Sequence, residues 1–278
     1  MERRPRSFYL LAAVFGLFVL FLYGPIVTIG ILSFQGPQGG LTFPMNGVSL
    51  HWFRDLFEQQ AVGDIWGAFR RSFGLGLMVM VTTVVISVLA GLAFRKRFAG
   101  SAILFYAAIT SLVIPSILIS LGVGLIFNQL GLKVHWATSG FGAQLTWTLP
   151  FGLLIMFAVF NRFDRSYEEA ARDQGATAWQ TIRHVVLPII APSLIGVALF
   201  GFTLSYDEFA RTLLTAGSYN TLPLEIFGMT TNVTTPVIYA LGTLTTAFSL
   251  AIIGLFLLCA WILGKRRARL GSDAGKGI

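Results

Sequence analysis

Residues 168–188 read EEAARDQGATAWQTIRHVVLP, a polar, helix-forming stretch broken once by Gly175 and set between two long apolar runs. Its surroundings make it decisive. The chain has 278 residues, of which 55% are hydrophobic and 12% charged, with a mean hydropathy of +0.75. Soluble domains carry about 25% charged residues, so a water-facing surface cannot be assembled from this inventory. The class is membrane protein. A chain with so few polar segments rarely spends one on a mere connection, and a helix, a turn and a helix make the right shape to plug into a soluble partner. The single cysteine, Cys259, lies inside an apolar run and allows neither an internal disulfide nor a cysteine metal cluster.

A helix that crosses a bilayer needs about 20 mostly apolar residues. Six stretches qualify: Phe8–Phe34, Ser72–Phe94, Ala99–Phe127, Phe141–Phe160, Ile189–Ser205 and Val237–Leu263. None contains Asp, Glu, Lys or Arg. Basic residues orient them, because cytoplasmic ends collect Lys and Arg. One set of ends holds Arg3, Arg4, Arg6, Arg95, Lys96, Arg97, Arg162, Arg165, Arg172, Arg183, Lys265, Arg266, Arg267, Arg269 and Lys276, which is 15 of the 20. The other keeps Arg54, Arg70, Arg71, Lys133 and Arg211. The expected fold is therefore an all-α membrane protein of six transmembrane helices with both termini cytoplasmic. Residues 1–278 form one transmembrane domain, and 164–188 form a cytoplasmic segment between spans four and five. The net charge of +8 sits at helix ends, which points to the lipid bilayer and away from nucleic acid. The first run is longer than the roughly 15 residues of a signal h-region and no A-x-A site follows it, so an uncleaved first helix is expected.

Two outer loops are long. Gln35–Gly67 is Gly/Pro-rich at its start, and its His51-Trp52-Phe53 suits a short amphipathic helix on the membrane surface or on a partner. Thr212–Pro236 is the second. No internal repeat stands out, so the paired-repeat plan of many secondary transporters finds no support. Within the polar segment, Asp164–Gln174 favours helix, and Ser166 with Glu169 has capping-box spacing. Gly175 suits the left-handed position that ends a helix. A second short helix, about Ala178–Val186, should stop at Pro188, which opens the fifth span. Ala170 and Ala171 permit close approach, Trp179 and Ile182 offer apolar anchors, and Arg172, Asp173 and Arg183 supply a charged rim. The competing reading is an amphipathic loop lying on the headgroups.

The spacing carries a resemblance. Glu169-Ala170-Ala171, then Gly175, Val185 and Leu187-Pro188 resemble, in register, the cytoplasmic loop of binding-protein-dependent ABC importer permeases, with Val185 where Ile is commoner. Farther on, Ser205-Tyr206-Asp207-Glu208-Phe209, Asn220-Thr221-Leu222-Pro223-Leu224, Thr235-Pro236 and Ala240-Leu241 are similar to permeases of the spermidine/putrescine type. The resemblance implies a type I ABC importer permease fold in a bacterial inner membrane. It makes 164–188 the coupling segment that sits in a groove on a cytoplasmic ATP-binding subunit pair, with Glu169, Ala170, Ala171, Gly175, Leu187 and Pro188 as its coupling positions. It also implies a second permease subunit, expected to be a paralogue, and an extracytoplasmic solute-binding protein. The expected solute is a polyamine such as putrescine or spermidine; another small solute such as an opine, or a self-sufficient ion-coupled secondary transporter, is the alternative.

The remaining polar residues have two readings each. Asp207 and Glu208, at the outer end of the fifth span, form either an acidic mouth for a cationic solute or binding protein, or an interfacial pair in which Arg211 answers Asp207 at helical spacing. Tyr206 and Glu225 are weaker candidates for the solute path. His51, His135 and His184 are too far apart in the topology to share a metal, so no metal or other cofactor is expected. Pro115, Pro150 and Gly152 interrupt apolar helices as either gating bends or structural kinks. The chain lacks G-x-x-x-x-G-K-[ST] and any converging nucleophile or carboxylate pair, so it is expected to be a non-catalytic subunit with ATP hydrolysed elsewhere. Spans free of ionisable groups also speak against a proton relay.

Overall fold

The computed structural model describes residues 5–58, 63–96, 98–232 and 235–273. Of the basic residues that orient the chain, Arg3, Arg4, Arg97 and Lys276 lie outside the described residues. The elements are helical: α1 (Arg6–Leu32), α2 (His51–Glu58), α3 (Ile65–Phe94), α4 (Ser101–Thr110), α5 (Ser116–Gln129), α6 (Phe141–Asn161), α7 (Ser166–Asp173), α8 (Ala178–Thr181), α9 (Leu187–Tyr206), α10 (Leu222–Asn232) and α11 (Val237–Asp273). Wide π-turns at Trp136–Gly140 and Ile182–Val186 lead into α6 and α9. Among the described residues, the extended pairing is one antiparallel bridge, Gln35 to Val48.

Five helices are long and apolar enough to cross a membrane: Arg6–Leu32, Ile65–Phe94, Trp136–Asn161, Ala178–Tyr206 and Val237–Ile262. The expected single helix over Ala99–Phe127 is instead the pair α4 and α5. Pro115 explains the break, since a proline disfavours helix in the residue before it and cannot donate a backbone bond. At about 1.5 Å per residue neither piece spans about 30 Å alone. The stretch 212–236, expected as an outer loop, is not all loop, because α10 occupies part of it and buries Leu222, Leu224 and Met229. Helix α3 starts at Ile65 rather than Ser72, taking Arg70 and Arg71 into its first turns.

By internal contacts the chain divides into two compact units, 1–63 with 226–250, and 64–225 with 251–278. In the first, the Gln35 amide organises the loop after α1: its Nε2 donates to the Gly40 carbonyl at 3.2 Å and its Oε1 accepts from Asn46 N at 2.7 Å. The Tyr239 hydroxyl donates to the Leu41 carbonyl at 2.8 Å. The expected short helix at His51 is present as α2, with Trp52 and Leu56 buried.

The second unit is built on α3, α6 and α9. Val88, Met156, Phe160, Val186, Ile190 and Val197 form its buried cluster, against which Leu92, Phe163 and Leu187 pack. Glycines cut notches for it. A Cβ on Gly201 would lie 3.1 Å from Met80 Cα, and one on Gly91 would meet the Phe160 ring at 2.7 Å. Gly152 is such a notch too, facing Ser87 and Thr83. These contacts set α3 and α6 parallel and α9 antiparallel. Pro150 sits inside α6 and deprives the Thr146 carbonyl of its helical donor. The Ser111 hydroxyl replaces that donor at 2.7 Å, so the break between α4 and α5 is fastened where α6 needs a partner.

Candidate functional site

Helix α7 opens the polar segment 164–188. Its expected start at Asp164 with a Ser166 cap is not what forms. The Asp164 carboxylate accepts from Ser166 N at 2.9 Å, Arg165 takes the N-cap position without a side-chain cap, and Glu168 and Glu169 occupy the first turn, favoured by the helix dipole. The Ser166 N–H holds the Asp164 carboxyl below its ordinary range. Gly175 ends the helix in the left-handed region at φ +82. Its N–H donates to the Arg172 carbonyl at 2.8 Å, and Ala176 N to the Ala171 carbonyl at 3.1 Å. Those two bonds are the paired closure of a glycine-terminated helix.

A capping box then restarts the chain: Gln180 N donates to Thr177 Oγ1 at 3.3 Å and Thr177 N to Gln180 Oε1 at 2.8 Å. T-x-x-Q at 177–180 is the sequence signal for it, whereas the capping box expected from Ser166 with Glu169 does not form. Helix α8 does not stop at Pro188. It passes through the π-turn, where Leu187 N donates to the Ile182 carbonyl, and continues as α9. The wider turn spares Pro188 the clash with the preceding turn that a tight helix would impose. Leu187 packs on the core cluster, while Pro188 is exposed.

The segment presents Glu169, Ala170, Arg172, Asp173, Trp179 and Arg183 to solvent, with Ala171 and Ile182 half-buried. Tyr167 is 55% exposed and Trp179 65%, a large apolar offering on so polar a stretch. A cavity of about 480 Å³, lined by Arg95, Lys96, Glu169, Arg172, Thr181 and Ile182 among others, lies between this segment and the end of α3. Composition did not reveal how Glu168 is used. Its carboxylate makes an ion pair with Arg95, with side chains only 13% and 14% exposed. The Arg95 guanidinium also lies over the Phe160 and Phe163 rings, 5.2 Å from each.

At the other end of α9, Tyr206 is buried and Asp207 exposed. Arg211 answers Glu208, not Asp207: Arg211 N donates to Glu208 Oε1 at 3.1 Å, and the charged groups are 4.0 Å apart. Arg211 is wholly buried. It donates from Nη1 to Ser116 Oγ at 2.6 Å and from Nε to Thr146 Oγ1 at 3.2 Å, and lies 4.6 Å over the Trp147 ring. Burial and charge-assisted bonds replace water here. Glu225 is engaged with backbone and amide. It accepts from Asp64 N at 3.1 Å and Asn220 Nδ2 at 2.9 Å, in a clasp where Arg71 reaches Asp64 at 2.9 Å and the Asn220 carbonyl at 2.7 Å.

The histidines are held locally. His51 faces Asp55 at 3.5 Å, His135 Nδ1 accepts from Ala137 N at 3.2 Å, and His184 Nδ1 meets the Gln180 carbonyl at 3.1 Å. Among the described residues no three of His, Cys, Asp and Glu gather as metal ligands.

Residues 83–265 match the family model of the binding-protein-dependent transport system inner membrane component. The chain belongs to that family. It is 29% identical over 253 residues to the spermidine/putrescine transport system permease protein PotC of Haemophilus influenzae, covering 88% of this chain and 94% of that protein. It is 28% identical over 254 residues to the putrescine transport system permease protein PotI of Escherichia coli, covering 88% and 87%. In fold it is similar to a chain of a bacterial ABC transporter that imports the acidic polysaccharide alginate, at TM-score 0.66 and 17% identity over 94% of this chain and 98% of that one. As a family member the chain is a multi-pass inner-membrane component.

Proposed function

We propose that this chain is the pore-forming permease subunit of an ATP-driven importer that takes a polyamine, such as putrescine or spermidine, from an extracytoplasmic binding protein. The observation that carries the reading is the family's Glu-Ala-Ala, Gly and Leu-Pro residues falling on one built device. That device is a helix closed at Gly175, a re-capped helix, and a continuous run into α9. Glu169, Ala170, Ala171, Gly175, Leu187 and Pro188 serve the coupling to an ATP-binding subunit pair, and the exposed Trp179 and Tyr167 supply the anchors that interfaces favour. The chain hydrolyses no ATP itself. A paralogous permease completes the pore, and residues 1–278 act as one transmembrane domain.

The chain crosses the membrane six times with both termini cytoplasmic, α4 and α5 together standing for the third crossing. Five long apolar helices and the clustering of Lys and Arg support that count. The polyamine reading rests on PotC and PotI, with Asp207 as the exposed carboxylate at the outer end of α9 and Tyr206 beside it. Glu208 and Glu225 serve the frame rather than the solute, given their partners.

A mild-detergent pull-down from native membranes, followed by uptake of labelled putrescine into vesicles loaded with ATP, tests the reading. An ATPase, a second permease and a binding protein should copurify, and uptake should require ATP. A chain that purifies alone and carries solute without ATP would sink it.

A further inference from the structure

We propose that the Arg95–Glu168 pair is the latch through which movement of the coupling segment reaches α3. This rests on the importer reading and names a part that reading leaves open. The segment already has backbone routes to two of the three core helices. Only residues 162–165 separate it from α6, and α8 runs through the π-turn into α9. Helix α3 has no such route, because α4 and α5 intervene in the chain before α6. Arg95 supplies the tie. It leaves the C-terminal end of α3, meets the Glu168 carboxylate in the first turn of α7, and lies over Phe160 and Phe163 at the end of α6. Its own carbonyl accepts from Arg165 Nη2 at 3.4 Å.

The chemistry suits transmission. Apolar packing of Leu92, Leu187 and Phe163 against the buried cluster is non-directional and lets helices slide. A charge pair whose guanidinium lies against two aromatic rings is directional, and it is either made or broken. Pulling α7 therefore pulls the end of α3. Both side chains are largely buried, yet both line the cavity of about 480 Å³ beside the segment, so a partner left unpaired has that space to face; this separates a latch from a brace.

The test uses the whole complex in vesicles, with variants Arg95→Gln, Glu168→Gln, Arg95→Lys and the double Gln variant. Each single Gln variant should reach the membrane and copurify with the ATPase, while uptake per ATP hydrolysed falls about tenfold or more. Arg95→Lys keeps the charge and should retain at least about a third of uptake. The double variant should match the worse single within about twofold, as expected when both substitutions break one contact. Uptake near wild type in both single variants, a double variant that loses the product of the two, or loss of the ATPase or of the inserted chain from the single variants would each overturn the latch. A wild-type complex that holds no ATPase would instead overturn the importer reading, and the latch with it.

Discussion

Two arginine–glutamate pairs stand at opposite ends of the α3–α6–α9 bundle, and they are built differently. Arg211 and Glu208 are three residues apart in the chain, their charges are 4.0 Å apart, and the arginine is fully buried under Trp147 with Ser116 and Thr146 as extra acceptors. Arg95 and Glu168 come from different helices, touch directly, and keep some exposure. The first pair gathers three pieces of backbone, the start of α5, the first turns of α6 and the 208–215 stretch, around one cation that no water reaches. Breaking it strands charge in a dry place. The second closes a gap between elements that each have support of their own. Breaking it leaves both groups on the wall of the cavity of about 480 Å³ that they line. The α10 end of the bundle should therefore hold most of the stability and the α7 end most of the function.

Arg211→Ala attacks that contrast hardest. It leaves Glu208 half-buried without its cation, removes the donors to Ser116 and Thr146, and opens a void beneath Trp147. A buried pair broken on one side costs about 3–5 kcal/mol, enough to lose most folded chain on detergent extraction. Fluorescence-detected size exclusion against temperature reads it. If Arg211→Ala survives extraction like wild type, the α10 end is not the frame of the fold. Next comes the notch between α3 and α9. A Cβ on Gly201 meets backbone at Met80 Cα, 3.1 Å away, and backbone gives way poorly, so Gly201→Ala should lower stability by about 1–3 kcal/mol in the same assay.

Gly175→Val sharpens the other half of the comparison. Nothing lies within 4 Å of the position of the added Cβ, so the penalty comes from φ +82 alone, about 1–2 kcal/mol for an L-residue there. That is a local cost, and the chain should insert and extract normally. The turn itself will not hold, and the direction in which α8 leaves α7 changes with it. Uptake should vanish and ATPase copurification should weaken. A Gly175→Val variant that transports at the wild-type rate removes the turn from the mechanism.

The two ends also differ in how far the sequence disclosed them. The α7 end was legible because its rules are local. Gly175 closes a helix by backbone geometry that only a few neighbouring residues determine, and the Glu-Ala-Ala spacing supplied the rest. Even there the expected box at Ser166 does not form, because the Asp164 carboxylate takes the Ser166 N–H, while Thr177 and Gln180 cap the next helix. The α10 end is not written in local spacing. Arg211 read as one more outer-side charge and as a partner for Asp207, since helical spacing favours that pairing. Beyond α9 the chain is no longer a regular helix, so Glu208 faces Arg211 instead. Its hydroxyl and indole partners lie at Ser116, Thr146 and Trp147, and no periodicity reports contacts that distant. The long apolar helices were plain from composition. The break between α4 and α5 needed the knowledge that Pro115 acts together with Pro150, whose freed Thr146 carbonyl Ser111 takes.

The mildest test falls on the Asp64 clasp, which ties the start of α3 to the stretch before α10. The Arg71 side chain, and then the Gly67 N–H, hold the Asp64 carboxyl below its ordinary value of 3.8. A carboxyl with a depressed folded pKa contributes stability that is fully present above the unfolded value and is lost as pH falls through the folded one. Asp64→Asn keeps the shape but removes the charge, so it should lower the melting temperature slightly and evenly at any pH from about 5 to 8. The Asp64 side chain is 65% exposed, and solvent screening limits such a pair to about 0.5 kcal/mol. As pH falls below 3.8 and on through the depressed folded value, the wild type protonates the same group and the two melting temperatures should converge. A difference that widens on acidification, or one that switches near pH 7, would assign the clasp's stability to another titrating group. The exposed end of the bundle would then owe more to charge than its solvent contact allows.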